Sequence, residues 1–223
     1  MNAAGALIRK DLLVELRTLE TVPAMALFTI STFVIFHFAL NRDAVNGQLA
    51  AGVLTATLLF AAMLAVNRLF VAEREQGGFD GFLLAPVDRT SMLVAKALVL
   101  FLFLAVLELI AVPAFALLLL RGGIWHALPG LVLVLVLADV AFAVVGTLVA
   151  GVAVQTRARD LIGPLIGLPL LIPALIGTAR AIGPLLAAGG PALPAAKWLA
   201  VLGLYDAVFA LVAFGVFDFL LED

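Results

Sequence analysis

Cysteine is absent from this 223-residue chain, which excludes a disulfide framework, a thiolate metal site and a thiol nucleophile. Charge is scarce as well, because Asp, Glu, Lys and Arg make up 13% of the residues, against about 25% in soluble domains. The net charge of −2 gives no indication of a nucleic-acid partner. With 65% hydrophobic residues and a mean hydropathy of +1.24, the composition predicts an integral membrane protein.

Catalytic motifs are missing too. The sequence has no Ser-His-Asp pattern, no HExxH and no Walker A motif, and Gly77-Gly78 is not followed by the Lys-Ser/Thr of a phosphate-binding loop. The chain is therefore predicted to be no enzyme and to have no nucleotide site of its own. Charged residues also interrupt the first apolar run, so we expect no signal peptide.

Residues 1–22 predict an amphipathic helix that lies along the membrane surface. Apolar side chains recur at helical spacing at Ile8, Leu12, Leu16 and Leu19. Charged side chains fall elsewhere on the helical wheel, and the apolar run is too short to cross a bilayer. The alternative is an ordinary soluble helix.

The remainder, residues 23–223, contains repeated apolar runs of the length that a membrane helix needs, about twenty residues. We predict an all-α integral membrane domain with six spans, at Pro23–Leu40, Leu49–Val71, Met92–Leu120, Leu128–Val154, Leu161–Thr178 and Trp198–Leu221. With a cytoplasmic N-terminus, nine Lys and Arg residues lie inside and four outside. This bias predicts that both termini are cytoplasmic.

Proline and glycine interrupt the fifth predicted span. Gly163 and Gly167 form a small-xxx-small pair that allows close helix contact, so the span is either a kinked packing helix or a cavity-lining one. The stretch 179–197 is apolar but rich in helix breakers. We expect it to form a broken re-entrant or surface segment on the outer side.

Residues 72–96 carry a quarter of all charges between two long apolar runs. Glycines in this segment permit a tight turn, and its phenylalanines and leucines offer an apolar face. We predict a short cytoplasmic helix within 72–91 that contacts a soluble partner. The alternative is a solvated loop.

Three acids lie within predicted spans: Glu108, Asp139 and Asp206. A charge at such a depth costs at least about 3 kcal/mol and often marks function, whereas the alternative is a protonated or hydrogen-bonded carboxyl group. No intramembrane Lys or Arg is expected to pair with them. His37 and His126, near the outer ends of spans, are weak candidates for metal or haem ligation, and no other metal site is predicted.

The amphipathic N-terminal helix, the six spans and the motif from ERE-x-G to LLAPVDR after the second span resemble the type-2 ABC exporter permeases. More closely, the strings IRKDLLVELRTLETVPAMALF and NRLFVAEREQGGFDGFLLAPVDR resemble the haem exporter B subunit family, the permease of the type I cytochrome c maturation system. The resemblance implies the type-2 permease architecture, with a broken outer segment between spans five and six, in the bacterial inner membrane.

In such permeases the charged segment is a coupling helix that docks on an ATPase subunit. The resemblance therefore implies that the ATPase is contacted by Glu73, Arg74, Glu75, Gly77, Gly78, Phe79, Phe82, Leu83, Pro86 and Asp88. It also implies that the interfacial helix is shaped by Lys10, Asp11, Glu15, Arg17 and Glu20.

The resemblance further implies a complex with ATPase subunits that bind ATP and Mg²⁺, a second copy of this chain and a haem-handling membrane protein with a tryptophan-rich motif. A small single-span subunit and a periplasmic haem chaperone are further expected partners. Only Trp125 and Trp198 occur here, so that motif is absent and we expect no bound cofactor, with haem as a candidate substrate. ATP hydrolysis would drive haem export or release of the loaded chaperone. The alternatives are a non-transporting scaffold and an ion-coupled carrier.

Overall fold

The computed structural model describes residues 3–40, 44–70, 89–120, 124–154 and 159–220. Within these ranges the chain forms seven helices: α1 (Ala3–Thr18), α2 (Thr21–Ala39), α3 (Gly47–Arg68), α4 (Arg89–Leu118), α5 (Leu128–Val154), α6 (Arg159–Leu185) and α7 (Ala196–Leu220). All except α1 are long and apolar enough to cross a membrane. The predicted all-α membrane fold, with a short first helix and six spans, is confirmed.

The predicted spans agree with the observed helices to within three residues at every end but one. That exception is α6, which continues through Leu185 although we expected it to stop at Thr178. Four prolines lie inside this continuous helix. A membrane helix tolerates them where neighbouring helices cover the backbone groups that a proline leaves unpaired. The predicted broken segment 179–197 is therefore wrong in its first part, and only 186–195 is non-helical.

Helices α3 and α5 form the centre of the bundle. In their membrane-length windows 72% and 67% of the residues are buried, compared with 17% in α2 and in α7. The central pair is flanked by α4 and α6, which are buried on one side. The faces of α2 and α7 are thus the ones most available to lipid or to other proteins.

Small residues on α6 allow it to lie against α3 along its whole length. A methyl group added at Gly163 would meet Asn67, and one added at Gly167 would touch Met63. Near the other end of the pair, Gly183 leaves no room for a side chain beside Gln48. The contacts follow one antiparallel register, so this face of α6 is a packing surface of the small-xxx-small type.

Three hydrogen bonds connect α2, α3, α4 and α6 at the ends of these helices that lie away from α1. The amides of Val45, before α3, and of Gly47, its first residue, donate to the carbonyl groups of Leu119 and Leu186, which follow α4 and α6, at 2.8 and 3.0 Å. His37 Nδ1, near the end of α2, lies 2.6 Å from the Leu118 carbonyl oxygen. Gly47 has a φ of +56°, a conformation that glycine adopts without steric cost. We call this the opposite end, and the end that holds α1 the α1 end.

Candidate functional site

A buried lysine joins three parts of the molecule at the α1 end. Lys96, on α4, donates to Asp11 Oδ2 on α1 at 2.8 Å and to the carbonyl oxygen of Leu69, directly after α3, at 3.0 Å. Its ammonium also lies 5.2 Å from the centre of the Phe70 ring, a cation–π contact. Because only 4% of the Lys96 side chain is exposed, this ion pair is a fixed internal connection between α1, α3 and α4.

The buried ammonium of Lys96 requires polar partners. A buried ammonium is stable only when it is paired and hydrogen-bonded, and loss of one partner of such a pair costs about 3–5 kcal/mol. Asp11 is 11% exposed and also accepts from Lys10 Nζ at 3.1 Å, while Lys10 itself is largely exposed. Asp11 is therefore the counter-charge of Lys96, and the pair holds α1 in contact with α4.

Glu15 joins α1 to the start of the first span. Its carboxylate accepts from the Thr21 amide at 2.9 and 3.2 Å and from the Val22 amide at 2.8 Å. These amides belong to the first turn of α2, where amides lack intrahelical partners and the helix dipole favours negative charge. Glu15, a buried residue of α1, therefore caps the start of α2.

The remaining charged residues of α1, and Glu20 just after it, are exposed. Glu20 pairs with Arg68, at the end of α3, at 3.2 Å, but both side chains are largely in solvent, so the pair contributes little. Arg17 is exposed as well. Asp11, Glu15, Thr21, Arg68 and Lys96 are the polar residues that line a small cavity of about 60 Å³ between α1 and the spans.

The apolar face of α1 is not the face that we expected. Leu12 and Ile8 pack against the core, but Leu16 is 70% exposed and Leu19 60% exposed. The reason is that Asp11 and Glu15 turn towards the bundle to reach Lys96 and the first turn of α2. The exposed leucines leave α1 with an apolar outer side, as a helix at a membrane surface requires.

Sequence analysis missed Lys96 as a site residue, although this lysine lies within the predicted span Met92–Leu120. Lys96 lies in the second turn of α4, and Arg180 lies within the extended α6, where it is exposed. The sequence signal that could have identified Lys96 is its position at the start of an apolar run, because a lysine inside a membrane span is usually paired. Lys96 lies about 18 Å along α4 from Glu108, so it does not neutralise the acids of the spans.

Two of the three predicted intramembrane acids meet. The carboxyl groups of Glu108, on α4, and Asp139, on α5, lie within hydrogen-bonding reach of each other. Glu108 Oε1 and Asp139 Oδ2 have no partner among the described residues. Asp206, on α7, is separate, and neither of its oxygens has a partner in the described part of the chain.

The two histidines differ in their surroundings. His37 is half-buried and its ring is held against the end of α4, whereas His126 is exposed and lines a cavity of about 400 Å³ at the opposite end. The cavity is otherwise formed by residues 44–46, Leu120 and residues 185–189. No group of three or more potential metal ligands occurs in the ranges that the structure describes.

The predicted ATPase-contacting residues, from Glu73 to Asp88, lie outside the described residues and remain predictions. What the structure describes is the base of that segment: Leu69 and Phe70 precede it, and α4 follows it. Lys96, on the helix that follows the segment, donates to the carbonyl oxygen of Leu69, which precedes the segment. Asp11, Glu15 and Glu20, which were predicted to shape the interfacial helix, lie close to this base.

Comparison with known proteins identifies the family. The model of the family described as "CcmB protein" matches residues 2–219, nearly the whole chain. The chain belongs to the CcmB family. This CcmB-family chain is 34% identical over 154 residues to "Heme exporter protein B" of Paracoccus denitrificans, covering 68% of this chain and 67% of the relative. It is 31% identical over 156 residues to "Heme exporter protein B" of Rhodobacter capsulatus, with the same coverage.

Proposed function

We propose that this chain is the transmembrane permease subunit of an ABC transporter complex for cytochrome c maturation. A separate ATPase subunit would act on segment 72–91, and the spans would respond by exporting haem or by releasing haem from a loaded chaperone. Membership of the CcmB family and the names of its relatives support the haem-related role. The chain would lie in the bacterial inner membrane with both termini in the cytoplasm, and would work as a pair.

The observation that carries the coupling proposal is the position of Lys96. Lys96 lies on α4, the helix on the far side of the segment, and its ammonium donates to the Leu69 carbonyl oxygen directly after α3 and to Asp11 on α1. A push on the segment would therefore reach α3, α4 and α1 together instead of bending a free loop. Because α4 also carries Glu108, the movement would extend to the middle of the spans.

The complex can be tested by co-expression of the chain with its ATPase subunit and purification through a tag on the chain. Glu75→Lys and Gly78→Asp should weaken ATPase co-purification, whereas Lys96→Met should keep binding but lower the chain-stimulated ATP hydrolysis. Lys197→Met is the matched control, because this exposed lysine lies at the opposite end over the Trp198 ring. Unchanged binding and unchanged stimulated hydrolysis in all three variants would refute the proposal.

The contact between Glu108 and Asp139 favours a second candidate function, that of an ion-coupled carrier. A pair of carboxyl groups that shares a proton inside a membrane domain is a common element of proton relays. Under this alternative, Glu108→Gln and Asp139→Asn abolish proton movement in reconstituted vesicles. ATPase stimulation that survives both substitutions, with no proton movement in the unmodified protein, excludes it.

A further inference from the structure

The ring of His37 has a defined orientation and tautomer. Nδ1 lies 2.6 Å from the Leu118 carbonyl oxygen at the last residue of α4. A carbonyl oxygen only accepts hydrogen bonds, so Nδ1 must carry the proton that it donates. In the neutral imidazole the lone pair is then on Nε2, which is the atom available to a ligand.

This arrangement is the one that metal-binding histidines use. Such a histidine almost always donates its second ring N–H to a carboxylate, a backbone carbonyl or water, which fixes the ring and makes the ligating nitrogen more basic. The Leu118 carbonyl lies in the last turn of α4, where carbonyl groups lack intrahelical donors and carry the negative end of the helix dipole. His37 is half-buried, so its ring is held while remaining accessible.

Apolar surface surrounds His37 on α2. Phe38 is 76% exposed and meets the imidazole edge-on, with ring centres 5.1 Å apart and planes at 84°. Val34 and Ile30, one and two turns earlier, are also exposed. A planar apolar macrocycle with a metal ion at its centre could cover these side chains while the metal takes the nitrogen.

We propose that His37 Nε2 is an axial ligand for the iron of haem, bound at the opposite end of the first span. The inference rests on the proposed function, in which haem is the cargo of the complex. Binding forms one bond from the Nε2 lone pair to the iron and needs no transfer of a proton or an electron. It assigns to this chain a direct contact with the porphyrin, which the absence of a tryptophan-rich motif had argued against.

The test is titration of the purified full-length chain in detergent with haemin, followed by the Soret band and the visible absorption bands. The key variant is His37→Asn, because the asparagine amide can still donate to the Leu118 carbonyl but has no imidazole nitrogen for iron. His126→Ala is the matched control, since that exposed ring makes no hydrogen bond to any described residue. Iron-free protoporphyrin IX separates iron ligation from adsorption to apolar surface.

We expect His37→Asn to lose the shift of the Soret band and to bind haemin at least about tenfold more weakly, whereas His126→Ala retains both the shift and the affinity. Protoporphyrin IX should bind all three proteins alike. Haemin binding by His37→Asn that matches the unmodified chain, or no spectral shift in the unmodified chain, would overturn the inference. Circular dichroism and size-exclusion chromatography verify that each variant is folded.

This outcome is separable from the fate of the proposed function. His37→Asn should co-purify with the ATPase subunit and stimulate its hydrolysis as the unmodified chain does. Lost haemin ligation with retained coupling supports the inference, whereas retained ligation with lost coupling contradicts it. Failure of the Glu75, Gly78 and Lys96 variants to change the ATPase would refute the coupling and leave the haemin spectra to be judged on their own.

Discussion

Polar side chains at the α1 end and those in the middle of the spans differ in whether they have hydrogen-bond partners. At the α1 end, Glu15 and Lys96 are buried and Asp11 is partly buried, and each makes two or more short polar contacts. Within the spans, by contrast, side-chain oxygens have no partner among the described residues on Thr29, Thr55, Glu108, Asp139, Thr147, Thr178 and Asp206.

The residues with unpartnered oxygens lie at similar depths in the bundle. Apart from Thr147, these residues lie seven to eleven residues from the opposite end of their helices, which is a layer about 10–17 Å deep. An unsatisfied buried polar group costs about 1–3 kcal/mol, so this layer lowers stability while the α1 end raises it. The polar side chains with several contacts therefore lie beside the base of segment 72–91, and the unpartnered oxygens lie deeper in the spans.

The largest effect should come from breaking the buried ion pair. Asp11→Ala leaves Lys96 charged without its counter-ion and should lower the free energy of unfolding by about 3–5 kcal/mol. Denaturant titration in detergent micelles measures this change. The double variant Asp11→Ala/Lys96→Met is the control and should recover most of the loss. A loss below about 1 kcal/mol in the single variant would remove the contrast between the two regions.

A smaller loss should follow removal of the cap on α2. Glu15→Ala leaves the Thr21 and Val22 amides without their acceptor and should cost about 0.5–2 kcal/mol in the same titration. Arg17→Ala, an exposed substitution two residues away on α1, serves as the control and should change stability little. Equal effects of the two substitutions would mean that the Glu15 contacts do not stabilise the helix.

Two buried threonines test the other side of the comparison. Thr57 Oγ1 donates to the Val53 carbonyl at 2.7 Å, whereas Thr147 Oγ1 has no partner among the described residues. Thr57→Val should therefore lower the free energy of unfolding by about 1 kcal/mol, and Thr147→Val should leave it unchanged or raise it. Thermal unfolding monitored by circular dichroism can compare the pair. A greater loss from Thr147→Val would show that its hydroxyl group is satisfied.

The smallest effect belongs to the exposed ion pair. Glu20→Gln removes the contact with Arg68 and should cost only about 0.2–1 kcal/mol, since both side chains are solvated. The difference from the unmodified chain should disappear when the titration is repeated in about 1 M salt, which screens exposed charges. A loss that persists in high salt would place this pair with the buried connections.

Much of the fold could be predicted because the bilayer imposes it. A membrane core offers no partners to backbone amides, so each long apolar run has to be a helix, and five of the six predicted spans agree closely with the observed helices. The end of α6 could not be predicted. Four prolines normally indicate a break, yet α3 packs against this helix and the Tyr205 hydroxyl donates to the Leu170 carbonyl within it at 2.7 Å.

The candidate site was only partly foreseeable. Asp11 and Glu15 were identified by their position in a family-like string, but their partners are distant in sequence or belong to the backbone. Lys96 is separated from Asp11 by 85 residues, and His37 from Leu118 by 81. A side chain that bonds a carbonyl group leaves no trace in the sequence, because every residue carries that carbonyl.

Composition and the lengths of the apolar runs determined by themselves that the chain is a six-span helical membrane protein, since hydrocarbon admits few other structures. Only the tertiary structure decided which faces of those helices meet. It turned the acids of α1 inwards, brought Glu108 to Asp139 and fixed the ring of His37. The physical reason is that such pairings are short-range and depend on how the helices are rotated about their axes, which the length of an apolar run does not specify.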